Sequence, residues 1–119
     1  MLVWVGVALL GGAGAVARFT LDGALSERTG DAFPWGTLAV NLSGAFLLGL
    51  LNGLDVAGDA LLLAGTGLLG SYTTFSTWML ESHRLGEDGE PGRMWLNLGV
   101  SAVAGLTAAA LGRALGGAL

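Results

Sequence analysis

The amino-acid sequence predicts an all-α membrane protein of four transmembrane helices. Three observations predict it. Of 119 residues, 53% are hydrophobic and only 12% are charged, about half the charged share of an ordinary soluble domain. The charges are clustered, which leaves uncharged runs at 1–17, 32–54, 60–80 and 94–112. Each run is close to the about 20 apolar helical residues that cross a bilayer core. Glycine is the third observation: 22 residues, more than twice the average share of about 7%, as suits helices that pack closely in lipid.

The first helix is expected over about 2–21, with Arg18 tolerated near its end. It has no basic segment before its apolar stretch, so a membrane helix is expected rather than a cleaved signal peptide. A polar link over 22–33 leads to Pro34 and Trp35. Proline suits a helix's first turn and tryptophan suits the membrane interface. The second helix is expected over 34–54. Residues 55–59 are short enough to require a tight antiparallel hairpin into a third helix at 60–80. Residues 81–93 hold the lone His83 and the turn Gly89-Glu90-Pro91-Gly92. The fourth helix is expected over 94–113. Residues 1–119 thus read as one four-helix transmembrane domain. In lipid each span must satisfy its own backbone hydrogen bonds, which favours helix.

Composition excludes several function classes. There is no lysine, and five arginines against nine acids give a net charge of −4, so no basic footprint for nucleic acid exists. No cysteine is present, which removes disulfides and thiolate metal sites. No nucleophile–base or metal constellation can be assembled, so an enzyme is not expected. Arg18, Arg28, Arg84 and Arg93 border the first and third links, and Arg113 lies at the other side. This bias is compatible with both termini outside and with a chain that inserts both ways. Small residues recur four apart at Ala8/Gly12, Gly49/Gly53 and Ser101/Gly105. Four helices this small form a solid bundle, so a pathway calls for a second copy.

Polar groups inside a membrane are functional candidates. Arg18 reads either as an interfacial anchor or as a cation at a water-filled entrance. Asn41, mid-way along the second span, reads either as helix glue or as an amide with two donors for a dehydrated anion. In Gly70-Ser71-Tyr72-Thr73-Thr74-Phe75-Ser76-Thr77-Trp78, five of the seven residues 71–77 are serine or threonine. Such a run is poor helix material. It reads either as a helix broken at mid-membrane, from Gly70 on, or as an intact helix whose hydroxyls bond back to carbonyls four residues earlier. Asn97 and Ser101 lie one turn apart on one face.

Three stretches together resemble the Fluc/CrcB family of small fluoride channels: Gly11–Phe19 (Gly-Gly-x-x-x-x-x-Arg-Phe), Pro34–Phe46 (Pro-Trp-Gly-Thr-Leu-x-Val-Asn-x-x-Gly-x-Phe) and Thr73–Thr77 (Thr-Thr-Phe-Ser-Thr). The resemblance runs through nearly the whole chain. It implies an antiparallel dual-topology homodimer in the inner (plasma) membrane, with the third helix broken and two fluoride pathways along the subunit interface. It implies a central structural sodium ion (Na+) held by backbone carbonyls, here of Gly70 and Thr73. It makes Asn41 the pore asparagine and Phe75 the first of two pore phenylalanines. Trp78 stands where the second phenylalanine is usual, with a larger ring and an added N–H donor. Thr37 and Ser101 match a polar track, Thr74 is grouped with the pore, and Asn97 is a further candidate. Arg18 matches the vestibule arginine.

The expected function is therefore passive, fluoride-selective conduction that exports cytoplasmic fluoride. The partners are fluoride, a second copy of the chain and the lipid bilayer. The alternative is a small four-helix dual-topology drug/proton antiporter. That class needs a protonatable carboxylate inside the membrane, and residues 1–17 hold none.

Overall fold

The computed structural model describes residues 1–30 and 32–119. It is all-helical among these residues. Three long helices are α1 (Leu2–Thr29), α2 (Trp35–Gly53) and, last in the chain, α6 (Pro91–Ala118). Each is long and apolar enough to cross a membrane, with mean hydropathy of 1.7, 1.3 and 1.5 over its most apolar window. The remaining segment, third in chain order, is assembled from pieces: α3 (Gly58–Leu61), a π-helical stretch over Leu62–Leu69, α4 (Gly70–Tyr72), an irregular break, and α5 (Ser76–Glu87).

Three helices overrun the expected bounds. α5 continues seven residues past the expected end at 80 to Glu87, which carries it through Glu81, beyond the apolar run. α1 continues eight residues past Leu21 to Thr29. Residues 22–29 contain no proline, and beyond the lipid their charges are solvated without disturbing the helix. Gly30 stops it at φ +76, with its N–H bonded to the Ser26 carbonyl at 2.9 Å. α6 begins at Pro91 rather than 94, because proline's fixed φ and missing N–H suit the first helical position. The turn before it is a Schellman motif. Glu90 N–H bonds the Leu85 carbonyl at 2.9 Å and Gly89 N–H bonds that of Gly86 at 3.3 Å, with Gly89 at φ +75. Asp55 makes the same turn after α2 at φ +57, a left-handed position that aspartate tolerates.

Glycine determines how the spans pack. A Cβ at Gly49 would strike the Ala109 carbonyl, one at Gly53 that of Arg113, and one at Gly112 that of Phe46. At Gly116 a Cβ would lie 2.6 Å from the Leu50 carbonyl. The register advances together on both helices, so α2 and α6 run parallel with their backbones in contact. α1 meets the π-helical stretch in the same manner, Gly14 against the Leu68 carbonyl and Gly67 against Val7. Gly12 and Gly105 have open space around them. Of the three expected small-residue pairs, only Gly49/Gly53 is used wholly within the subunit.

The core is thin. Leu38, Val40, Leu69 and Leu85 are the buried apolar side chains among the described residues, while Phe19, Phe75, Trp95, Leu106 and many others stand exposed. An apolar exterior of this extent requires a solvent other than water. The chain is a multi-pass membrane protein.

Candidate functional site

The break lies at Thr73–Phe75, three residues beyond the expected start at Gly70. Gly70 itself is helical, at φ −61 and ψ −34, so its glycine freedom is not used there. The last helical turn closes on Thr73, whose N–H and hydroxyl both bond the Leu69 carbonyl, at 3.0 and 3.1 Å. Thr73 then turns extended, with ψ +157. Back-bonding to a carbonyl four residues earlier and a broken helix, read as alternatives in the sequence, occur together.

α2 grips the break at three successive points. Asn41 takes hold of the Thr74 peptide on both sides: Nδ2–H donates to the Thr74 carbonyl and the Thr74 N–H donates to Oδ1, each at 2.8 Å. Gly44 admits Thr73, whose Cγ2 occupies the place of a Cβ. Ser43 and the Tyr72 hydroxyl are 2.8 Å apart. Ser43 bonds back to the Ala39 carbonyl at 2.8 Å, so Tyr72 is the donor. On the far side of the break, the Thr74 hydroxyl accepts the Thr77 N–H of the first turn of α5 at 3.2 Å.

These bonds leave two carbonyls without their helical donors. The Thr74 N–H that a continuous helix would send to Gly70 goes to Asn41. The Thr77 N–H that would go to Thr73 goes to the Thr74 side chain. The donor set of the expected sodium site, the Gly70 and Thr73 carbonyls, is thus released from the ladder. Neutral carbonyl oxygens suit a hard cation.

Asn41, Thr73, Thr74, Phe75, Trp78 and Ser101 line one groove of about 620 Å³, closed off along α6 by Gly105, Leu106 and Ala109. Phe75 and Trp78 meet edge to face, centroids 5.7 Å apart at 85°. Phe75 is 69% exposed, a large aromatic face with no cover in the single chain. Most of the hydroxyl hydrogens here are spent on protein acceptors. Thr73 donates to Leu69, Thr74 to the Thr77 hydroxyl at 3.1 Å, and Ser101 to Asn97 Oδ1 at 3.3 Å. Asn41 retains one amide N–H that no group among the described residues takes.

The other candidates lie elsewhere. Thr37 is buried at the start of α2, and its hydroxyl donates to Glu81 Oε1. Asn97 is 1% exposed and off the groove wall. Arg18 is half-buried on α1, with its Nε buried and unbonded. Glu81, just past the apolar run 60–80, was not singled out in the sequence. It lines a second cavity of about 340 Å³ with Ser26, Phe33, Arg84 and Asp88. Burial pushes its carboxyl above the usual range. The Thr37 hydrogen bond opposes this, nearby Asp22 adds to it and Arg84 opposes it. Ser43, Tyr72 and Ser82 were also passed over. Ser43 and Tyr72 sit inside the stretches the sequence singles out but carried no role of their own there, and Ser82 lies outside them; only their contacts distinguish them.

The family model for CrcB-like protein, camphor resistance (CrcB), matches residues 5–113. The chain belongs to the CrcB family. The resemblance carried by the three sequence motifs is thereby borne out. Among CrcB relatives, the fluoride-specific ion channel FluC 2 of Mycolicibacterium paratuberculosis is 57% identical over 113 residues, covering 95% of this chain and 93% of the relative. FluC 2 of Mycobacterium bovis is 55% identical, covering 93% and 88%. The fluoride-specific ion channel FluC 1 of Symbiobacterium thermophilum is 45% identical, covering 95% and 96%.

Proposed function

We propose that this CrcB chain is a passive fluoride-selective channel that lets cytoplasmic fluoride leave the cell across the inner (plasma) membrane. Its relatives are named fluoride-specific ion channels. The observation that carries the proposal is the groove wall. It presents the unspent Asn41 N–H beside the Phe75 and Trp78 rings, with no charged group among its lining residues. Fluoride is small and strongly hydrated, so it enters a pore only where donors replace its water. One amide N–H and electropositive ring edges bind it adequately yet let it go. A fixed cation at the same place would hold it too tightly for conduction. Hydrofluoric acid crosses lipid, ionises inside and is trapped as the anion, and a passive pore releases it.

The working unit is an antiparallel homodimer with a pore on each side of the interface. Support comes from the exposed Phe75 and the groove open along one side of the single chain. Two copies would bring the released Gly70 and Thr73 carbonyls of both breaks together around a sodium ion. When bound, that ion supplies positive charge opposite carbonyl dipoles that no N–H satisfies.

Fluoride efflux from liposomes holding the purified protein tests the function, with chloride as the control ion. Fluoride is expected to leave and chloride to stay, without any proton gradient. Equal flux of both ions, or strict dependence on a proton gradient, would refute the proposal. Dual topology is tested by a cysteine at Asp59, exposed in the first turn of α3. Gly58 beside it is unsuited, because its φ of +62 resists a side chain. Labelling from both membrane faces is expected, and labelling from one face alone shows a fixed orientation.

A further inference from the structure

Trp78 is this chain's departure from the aromatic pair implied by the resemblance, and its indole N–H does not point at an empty pathway. It donates to the backbone carbonyl of Asn97 on α6, at 3.3 Å. A set of bonds surrounds that contact, the Asn97–Ser82 pair buried and the others part-buried. Asn97 Nδ2–H donates to Ser82 Oγ at 2.8 Å, and Ser82 Oγ–H donates to the carbonyl of Trp78 itself at 2.8 Å. Ser101 donates to Asn97 Oδ1 from the groove side. Ser82 is 3% and Asn97 1% exposed. The ring nitrogen is thus tied to the main chain of α6, and the Trp78 carbonyl is linked to the same residue of α6 through the Ser82 hydroxyl and the Asn97 amide.

We propose that Ser82 and Asn97 are positioning residues that lock the Trp78 indole against α6, so that its ring edge forms a fixed wall of the fluoride pathway beside Phe75. The role in conduction rests on the channel function proposed above. A phenylalanine at this position has no N–H and is steered by packing alone. The tryptophan exchanges that freedom for one orientation, and its N–H serves as an anchor rather than as a donor to the anion. The lock depends on Ser82 because buried amides must be paired. Without Ser82 Oγ, the Asn97 N–H is stranded between α5 and α6, and the helices separate or Asn97 turns away. Either movement lengthens a bond that already stands at 3.3 Å.

The test uses the dimer in detergent with isotope-labelled tryptophan, the indole resonance being assigned by its loss in Trp78→Phe. The Trp78 indole N–H is expected to exchange with water much more slowly than that of Trp95, which is exposed on the outer face of α6. Ser82→Ala should speed that exchange about fivefold, the population shift expected from one lost buried hydrogen bond. It should lower fluoride efflux from liposomes by a similar factor. Ser82→Thr keeps the hydroxyl and should restore both. Unaltered Trp78 exchange in a Ser82→Ala protein that still elutes as the dimer would overturn the lock. Faster exchange with undiminished fluoride efflux would overturn its role in conduction. A protected indole N–H in a native protein that passes no fluoride would overturn the channel function on which that role rests, and leave the lock standing.

Discussion

Asn41 and Thr74 hold each other by two hydrogen bonds of 2.8 Å, amide to carbonyl and N–H to amide oxygen, across two spans. The side chain of one helix thereby replaces the helical partners that another segment has lost. This bidentate clasp consumes half of the donor capacity that Asn41 would offer to an anion, and it orients the other half.

Asn41→Asp should therefore fail on two counts. A carboxylate still accepts the Thr74 N–H, but it repels the Thr74 carbonyl and any fluoride beside it. Leaving that carbonyl unpaired costs about 1–3 kcal/mol. Fluoride efflux should fall to background while the variant still elutes as a dimer. Normal efflux would assign Asn41 to packing alone.

Gly44→Ala should push Thr73 out of its seat, because the new methyl falls on Thr73 Cγ2. Overpacking of this kind costs about 1–3 kcal/mol. The melting temperature and fluoride efflux should both drop. Adding Thr73→Ser removes Cγ2, keeps the hydroxyl bonded to Leu69 and should recover most of the loss. A double variant no better than the single one would refute this seating.

Gly49→Ala and Gly105→Leu should separate the subunit from the dimer. The first places a methyl on the Ala109 carbonyl inside the α2–α6 contact and should lower subunit stability. The second meets open space in the single chain but fills the groove wall. Its helicity should be unchanged while dimer elution and fluoride efflux are lost. A Gly105→Leu protein that remains an active dimer would move the interface to another face.

Sodium should matter to the assembled protein. If the Gly70 and Thr73 carbonyls hold the ion, replacing sodium with a large organic cation should lower dimer stability and flux. Thr73→Ala keeps its carbonyl and should retain the sodium dependence, apart from the loss of one side-chain bond to Leu69. Flux and stability indifferent to sodium would remove the ion from the design.

Glu81 should make stability depend on pH. Burial first, then the nearby Asp22, raises its carboxyl above the usual range, against the Thr37 hydrogen bond and Arg84. At low pH, below the unfolded value, the group is protonated in both states and costs nothing. As pH rises through the raised folded value, the folded state must bury a charge. Glu81→Gln should thus be more thermally stable than the parent at neutral pH, and the difference should vanish on acidification. A difference that is flat with pH would show that Glu81 is fully solvated.

The all-helical fold and three apolar runs long enough to cross a membrane were legible in the chain, because hydropathy and charge are properties of a run of residues and need no partner. So were Asn41, Thr74, Phe75, Trp78 and Ser101 as groove candidates: polar or aromatic groups amid apolar residues stand out, and the family motifs name most of them. The extent of α1 and α6 beyond the lipid was not legible, since nothing in 22–29 or 91–93 separates solvated helix from loop. Nor was the point of the break. Gly70 is the conspicuous residue, yet the helix runs through it and opens at Thr73, where Asn41 of another span bids for the Thr74 peptide. The same holds for Ser82, Asn97 and Glu81. Serine, asparagine and glutamate are ordinary by type. Their roles arise from what lies within hydrogen-bond distance once α5 is laid against α6 and α2, and that distance exists only in the folded bundle.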